Sequence, residues 1–178
     1  MAMINVTIDG IEVSVEQGTT ILNAAKAVGI DIPTLCYLKD VNEIGACRVC
    51  VVEVEGNSQL SAACNTECVD GMVVKTNSPK AVAARRNNVQ LLLAAHDVQC
   101  TSCIRSGNCA LQDLANTLGI SMEEYEKCPA EQAWPQDFPL IRDAGRCIKC
   151  GRCVSFCKKI QHANVWEYSD KNLIDVAG

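Results

Sequence analysis

Thirteen cysteines occur among 178 residues, and they recur as C-x2-C pairs. That is about 7% of the chain, several times ordinary usage, while Trp, Tyr and Phe number only 2, 3 and 2. Something other than aromatic packing organises this sequence. Residues 1–10 carry no basic stretch followed by an apolar run and a small-residue cleavage site, so the expectation is a chain without a secretory signal, held in a reducing cytoplasm. In that compartment disulfides are rare and clustered cysteines serve as metal ligands. The longest apolar stretch, around Val89 to Ala95, is far shorter than a membrane span. A formal charge of −5, from 16 basic and 21 acidic residues, gives no electrostatic footprint for nucleic acid.

Residues 3–8 and 11–15 alternate in polarity around Asp9-Gly10, a strong signal for a tight hairpin. Thr19 or Thr20 can cap a helix whose Ile21, Leu22, Ala25 and Val28 share one face and which Gly29 stops. Val51 to Glu55 and Gln59 to Ala62 flank Gly56-Asn57 as a second hairpin, and Met72 to Thr76 reads as a final strand. Residues 1–78 therefore predict a small mixed sheet crossed by a helix, an α+β unit. Pro79 begins a helix running to about Ala95, and a shorter one spans about Ala110 to Leu118 before Gly119. Ser121 with Glu124 three residues on predicts another helix start, and residues 129–139 read as a Pro-punctuated connector. The expected division is 1–78, 79–120 and 121–178, with the second half helical and loop-rich.

The cysteines fall into three groups. Cys36, Cys47, Cys50 and Cys64 are spaced C-x10-C-x2-C-x13-C, and four thiolates complete the ligand set of a [2Fe-2S] cluster. Small residues such as Gly45 and Ala46 are expected to let backbone N–H groups approach the sulfurs. A four-Cys structural zinc is the alternative, although a zinc ribbon would normally show two C-x2-C knuckles where this group has one. The strand-strand-helix opening followed by a long cysteine loop also resembles a β-grasp ferredoxin, with x10 where the plant pattern has x4.

The second group is His96, Cys100, Cys103 and Cys109. Alone, His96 would read as a core histidine at the end of the Val89, Leu92, Leu93 face. Cys100 four residues later changes that, because both side chains point the same way if the last helical turn continues. One imidazole in place of a thiolate makes a cluster less negative and easier to reduce, and it binds only while His96 is unprotonated. The third group, Cys147, Cys150, Cys153 and Cys157, forms the C-x2-C-x2-C-x3-C run of bacterial [4Fe-4S] ferredoxins. In two-cluster ferredoxins the fourth cysteine serves the other cluster. Here Cys157, Cys128 with its following Pro129, or a partner's ligand are the candidates for closing the third set, and Cys157 is preferred as the nearest thiolate. Cys68 and Cys128 otherwise read as small buried hydrophobes.

The order of these motifs resembles the N-terminal iron-sulfur region shared by [FeFe]-hydrogenases and the large iron-sulfur subunit of complex I. The resemblance covers about residues 3–160 and is carried by Thr34-Leu35-Cys36, Gly45 to Cys50, Ala63 to Thr66, Gly71 to Thr76, His96 to Leu114 and Arg146 to Cys153. It implies a β-grasp [2Fe-2S] ferredoxin-like domain followed by a helical, loop-rich region binding two [4Fe-4S] clusters. In the family, positions matching Cys36, Cys47, Cys50 and Cys64 hold the [2Fe-2S] cluster. Those matching His96, Cys100, Cys103 and Cys109 hold one [4Fe-4S] cluster, and those matching Cys147, Cys150 and Cys153 hold another.

Short versions of the region resemble small subunits of NAD-linked, electron-bifurcating hydrogenase, formate dehydrogenase or transhydrogenase complexes. The resemblance thus implies a non-catalytic relay passing single electrons between a flavin/NAD(H) subunit and a second redox subunit. The alternatives are the electron-transfer part of an [FeFe]-hydrogenase and a zinc-stabilised interaction module. No G-x-G-x-x-G fingerprint for a nicotinamide or flavin occurs in the sequence.

Overall fold

The computed structural model describes residues 2–121, 126–129, 131, 142–170 and 173–176. The chain divides into two compact units, Met1–Asn87 and Asn88–Gly178. The division falls inside the helix that begins at Pro79.

The first unit opens with β1 (Met3–Ile8) and β2 (Ile11–Glu16), paired antiparallel with Ile8 opposite Ile11. Asp9 and Gly10 both take positive φ, 48° and 86°, the geometry that lets a two-residue turn follow the strand twist. Helix α1 (Ile21–Ala27) follows, its start fixed by Thr20, whose side chain accepts from the Asn23 N–H. Ile21, Leu22, Ala24 and Ala25 are its buried face. At its end the Ile30 N–H returns to the Ala25 carbonyl past Gly29, whose φ of 77° closes the last turn.

Beyond the cysteine loop come β3 (Val51–Val54), β4 (Ser61–Ala62) and β5 (Val73–Lys75). The sheet order is β2-β1-β5-β3-β4, with β1 and β5 parallel and the other pairs antiparallel. α1 buries its face among Val6, Ile8, Val52 and Val74. Each fully buried Ile or Leu contributes about 1.5–3 kcal/mol. This is the α+β, ferredoxin-like β-grasp architecture that the strand-strand-helix order implied.

Helix α2 (Pro79–Ala94) begins at the expected proline. It ends two residues before His96, and the expected continuation of its last turn toward Cys100 does not occur. The His96 N–H reaches only the Leu93 carbonyl, the Asp97 N–H goes to Gly145, and Cys100–Ser102 form a separate 3-10 turn. Helix α3 (Ala110–Thr117) buries Leu111, Leu114 and Ala115. A further helix, α4 (Arg152–Lys159), packs against a terminal antiparallel pair, β6 (Trp166–Tyr168) and β7 (Ile174–Val176). None of these last three elements is signalled by the sequence pattern. The residues after Ser121, Glu124 among them, on which the expected helix start falls, and most of the 129–139 connector lie outside the described residues. Among the described residues, no helix is long and apolar enough to cross a membrane.

Candidate metal centres

In the first unit, the loop from α1 to β3 brings Cys36 and Cys47 against each other, and the β3–β4 pairing brings Cys64 to Cys50. Asn42 holds the loop from inside, donating its buried amide to the Cys36 carbonyl at 2.7 Å. The Cys47 N–H points at the Cys36 sulfur, 3.5 Å away. On the other side, the Ala63 N–H donates to the Cys50 carbonyl. All four residues are buried.

The thiols associate in twos. Hydrogen bonding to Cys36 brings Cys47 down to about 5, and the same bond, with burial, pushes Cys36 up. Hydrogen bonding to Cys64 brings Cys50 down to about 7, while Cys64 is pushed up by that bond and by burial. In each pair the hydrogen bond favours the thiolate of one cysteine and the thiol of the other. Four ligands shared over two irons come to two per iron, so the donor set and its pairing fit a [2Fe-2S] cluster.

Gly45 sits at φ +65°, and a Cβ there would lie 2.9 Å from the Asn65 side-chain nitrogen. Its small size therefore serves close packing on Asn65, next to Cys64. Among the N–H groups that reach a sulfur in this loop is that of Cys47.

In the second unit, Cys100, Cys103 and Cys109 are half-buried. The Arg105 N–H donates to the Cys103 sulfur at 3.4 Å. Cys109 stands at the N-cap of α3 without a side-chain cap bond. Burial pushes the His96 pKa down, with Arg146 adding to the fall and Asp97 opposing it. The imidazole is therefore neutral near pH 7, the form that binds metal. Its Nδ1 is buried without a hydrogen-bond partner. A buried nitrogen of that kind needs an explanation, and a metal ion beside it supplies one. The histidine-plus-three-cysteine set fits a [4Fe-4S] cluster.

Cys147 and Cys150 are half-buried. Partial burial pushes the Cys153 thiol up, and the neighbouring Cys150 and Cys147 add to the rise, so these three lie within electrostatic reach of one another. Cys157 is buried one helical turn along α4 from Cys153, and its sulfur accepts the Val165 N–H at 3.3 Å. Cys128 is exposed, and its N–H donates to the Ala94 carbonyl at the end of α2.

Among the described residues, no three His, Cys, Asp or Glu side chains converge on one point as ligands of a single metal ion would.

Residues 1–79 match the family model of the 2Fe-2S iron-sulfur cluster binding domain, and residues 85–123 match that of the NADH-ubiquinone oxidoreductase-G iron-sulfur binding region. The 2Fe-2S domain ends as α2 begins, and the oxidoreductase-G region runs from within α2 through α3.

The NADP-reducing hydrogenase subunit HndD of Solidesulfovibrio fructosivorans is 45% identical over 93% of this chain and 29% of its own length. The NADPH-Fe(3+) oxidoreductase subunit alpha of Geobacter sulfurreducens is 42% identical over 91% of this chain and 19% of its own. The NADH-ubiquinone oxidoreductase 75 kDa subunit of Reclinomonas americana is 36% identical over 89% and 23%. The chain therefore spans less than a third of these relatives. A chain in the crystal structure of an NAD+-reducing [NiFe]-hydrogenase matches with a TM-score of 0.88 and 28% identity, over 99% of this chain and 76% of that one.

Two features of the cysteine loops are not legible in the sequence. Arg48 and Lys149, each inside a C-x2-C pair, take positive φ of 52° and 53°, a conformation that costs a side-chain-bearing residue about 1–2 kcal/mol. Strain of this kind gathers where a loop must aim ligands, and no residue type in the sequence announces it. Cys68 is buried in the apolar core of the first unit and its pKa is raised by that burial, in keeping with a packing role. Cys128 is exposed, which departs from the buried-hydrophobe reading.

Gly45→Ala should lower the stability of the 2Fe-2S domain by about 1–2 kcal/mol, because alanine must adopt the left-handed region while its Cβ displaces Asn65. Urea unfolding of the full chain, followed through the visible absorption, measures this. Wild-type stability would show that the loop tolerates a side chain at position 45.

Proposed function

We propose that this chain is an electron relay. Its 2Fe-2S domain and oxidoreductase-G region would carry single electrons between a flavin/NAD(H)-binding subunit and a second redox subunit of a hydrogenase, formate dehydrogenase or transhydrogenase complex, including bifurcating ones, in the cytoplasm. The observation that carries this reading is the coexistence in one chain of three thiolate-rich sets with two iron-sulfur families in series. The relatives named as NAD(P)-linked oxidoreductase subunits support it. The 45% identity to a hydrogenase subunit favours one second reading, in which the same sites feed a hydrogen-activating centre.

The proposed ligands are Cys36, Cys47, Cys50 and Cys64 for one [2Fe-2S] cluster, in the segment 1–78. His96, Cys100, Cys103 and Cys109 would hold a [4Fe-4S] cluster in 79–120, and Cys147, Cys150, Cys153 and Cys157 another in 121–178. When bound, the clusters supply the one-electron chemistry. The protein residues hold them, keep His96 neutral and lend N–H groups to the sulfurs. Cys157 is preferred for the third set because it shares a helix face with Cys153, while Cys128 is tied to the end of α2.

In an anaerobically purified complex, NADH should bleach the thiolate-iron absorption of this chain only while a flavin-bearing partner is present. Bleaching by NADH of the chain alone, or a complex lacking any flavin subunit, contradicts the relay reading. For the third set, Cys157→Ser should convert one [4Fe-4S] EPR signal to a three-iron form and Cys128→Ser should leave it intact; the reverse result makes Cys128 the ligand.

A further inference from the structure

Arg85 is the one basic residue among the buried polar side chains of the described residues, with 4% of its surface exposed. It projects from α2 into the 2Fe-2S domain. Its Nε donates to the Val49 carbonyl at 3.1 Å, and one terminal nitrogen donates to the Val51 and Thr76 carbonyls at 3.4 and 3.0 Å. The other donates to the Asn77 side-chain oxygen at 3.1 Å. Val49 and Val51 flank Cys50, so one guanidinium grips the backbone on both sides of a candidate ligand.

None of these four acceptors is charged, and no carboxylate among the described residues pairs with Arg85. Burying a lone cation is costly unless a negative charge offsets it. Burial does pull the guanidinium pKa down, and the Cys50 thiolate pulls it back up; arginine remains charged in any case. The nearby anion that this arrangement requires is the thiolate-ligated cluster.

We propose that Arg85 is a positioning residue for the [2Fe-2S] cluster, one that fixes Cys50 through its two flanking carbonyls and raises the cluster's reduction potential with its uncompensated charge. The inference rests on the proposed ligand set. On reduction the cluster takes one electron, one ferric ion becomes ferrous, and no bond forms or breaks. The product carries one more negative charge than the oxidised form. A fixed buried cation stabilises the reduced state more than the oxidised one, and the low-dielectric surroundings leave that effect little screened. Asn77, which is exposed, keeps the cation uncompensated by accepting its fourth bond with an amide instead of a carboxylate.

The test is an anaerobic EPR titration of the full chain, with dithionite as reductant and viologen dyes as mediators. Arg85→Gln should lower the potential of the [2Fe-2S] signal by at least tenfold in the one-electron equilibrium, about 59 mV. Arg85→Lys should stay closer to wild type than Arg85→Gln does, although it loses the fork of hydrogen bonds. Asn77→Asp, a surface change that gives the guanidinium a carboxylate partner, should lower the potential with iron content unchanged, so the test survives if Arg85→Gln does not fold. Wild-type potentials in both Asn77→Asp and any folded Arg85→Gln protein would overturn the inference and leave Arg85 a purely structural clamp. A wild-type chain lacking the [2Fe-2S] signal overturns the ligand assignment and this inference with it.

Discussion

Four buried thiols cannot all ionise side by side unless positive charge lies among them. In the first site hydrogen bonds from Cys36 and Cys64 bring Cys47 and Cys50 down, to about 5 and about 7, and the same bonds with burial drive Cys36 and Cys64 up. Proton sharing is how the polypeptide accommodates two sulfur pairs without metal. The four cysteines would hold bound iron as thiolates, with their remaining thiol protons lost on binding. The surrounding fold serves this arrangement: α1 and the mixed sheet hold the loop ends, Asn42 ties the loop from within, and Arg85 grips the strand beside Cys50.

The second unit builds its candidate sites on the same ligand chemistry, and among its described residues Val89, Leu93, Leu111, Leu114 and Ile174 are buried. Where the first site is enclosed, the second and third keep their cysteines half-buried, apart from Cys157 in α4 and the more open Cys153.

Much of the first unit was legible because local rules and tertiary needs agree there. Asp9-Gly10 had to turn, Thr20 had to cap, and the alternation of β1 and β2 had one face to bury. The spacing of the cysteines also announced their grouping. What stayed hidden was set by contacts distant in sequence. The end of α2 before His96 follows from the Asp97 N–H bonding to Gly145. Nothing local to α2 marks Arg85, whose burial follows from the carbonyls of Val49, Val51 and Thr76 closing around it. α4 begins at Gly151 in the left-handed region with no side-chain cap, so its start carried none of the usual Ser, Thr, Asp or Asn signal. β6 and β7 are only three residues each and lie beyond the last cysteine.

The central claim is that iron, bound as three separate clusters, is what these cysteines are arranged to hold. Iron and acid-labile sulfide counted per chain after anaerobic reconstitution test it most directly. One [2Fe-2S] and two [4Fe-4S] clusters predict about ten iron atoms and about ten sulfides. About two irons, or stoichiometric zinc with no labile sulfide, would contradict the account.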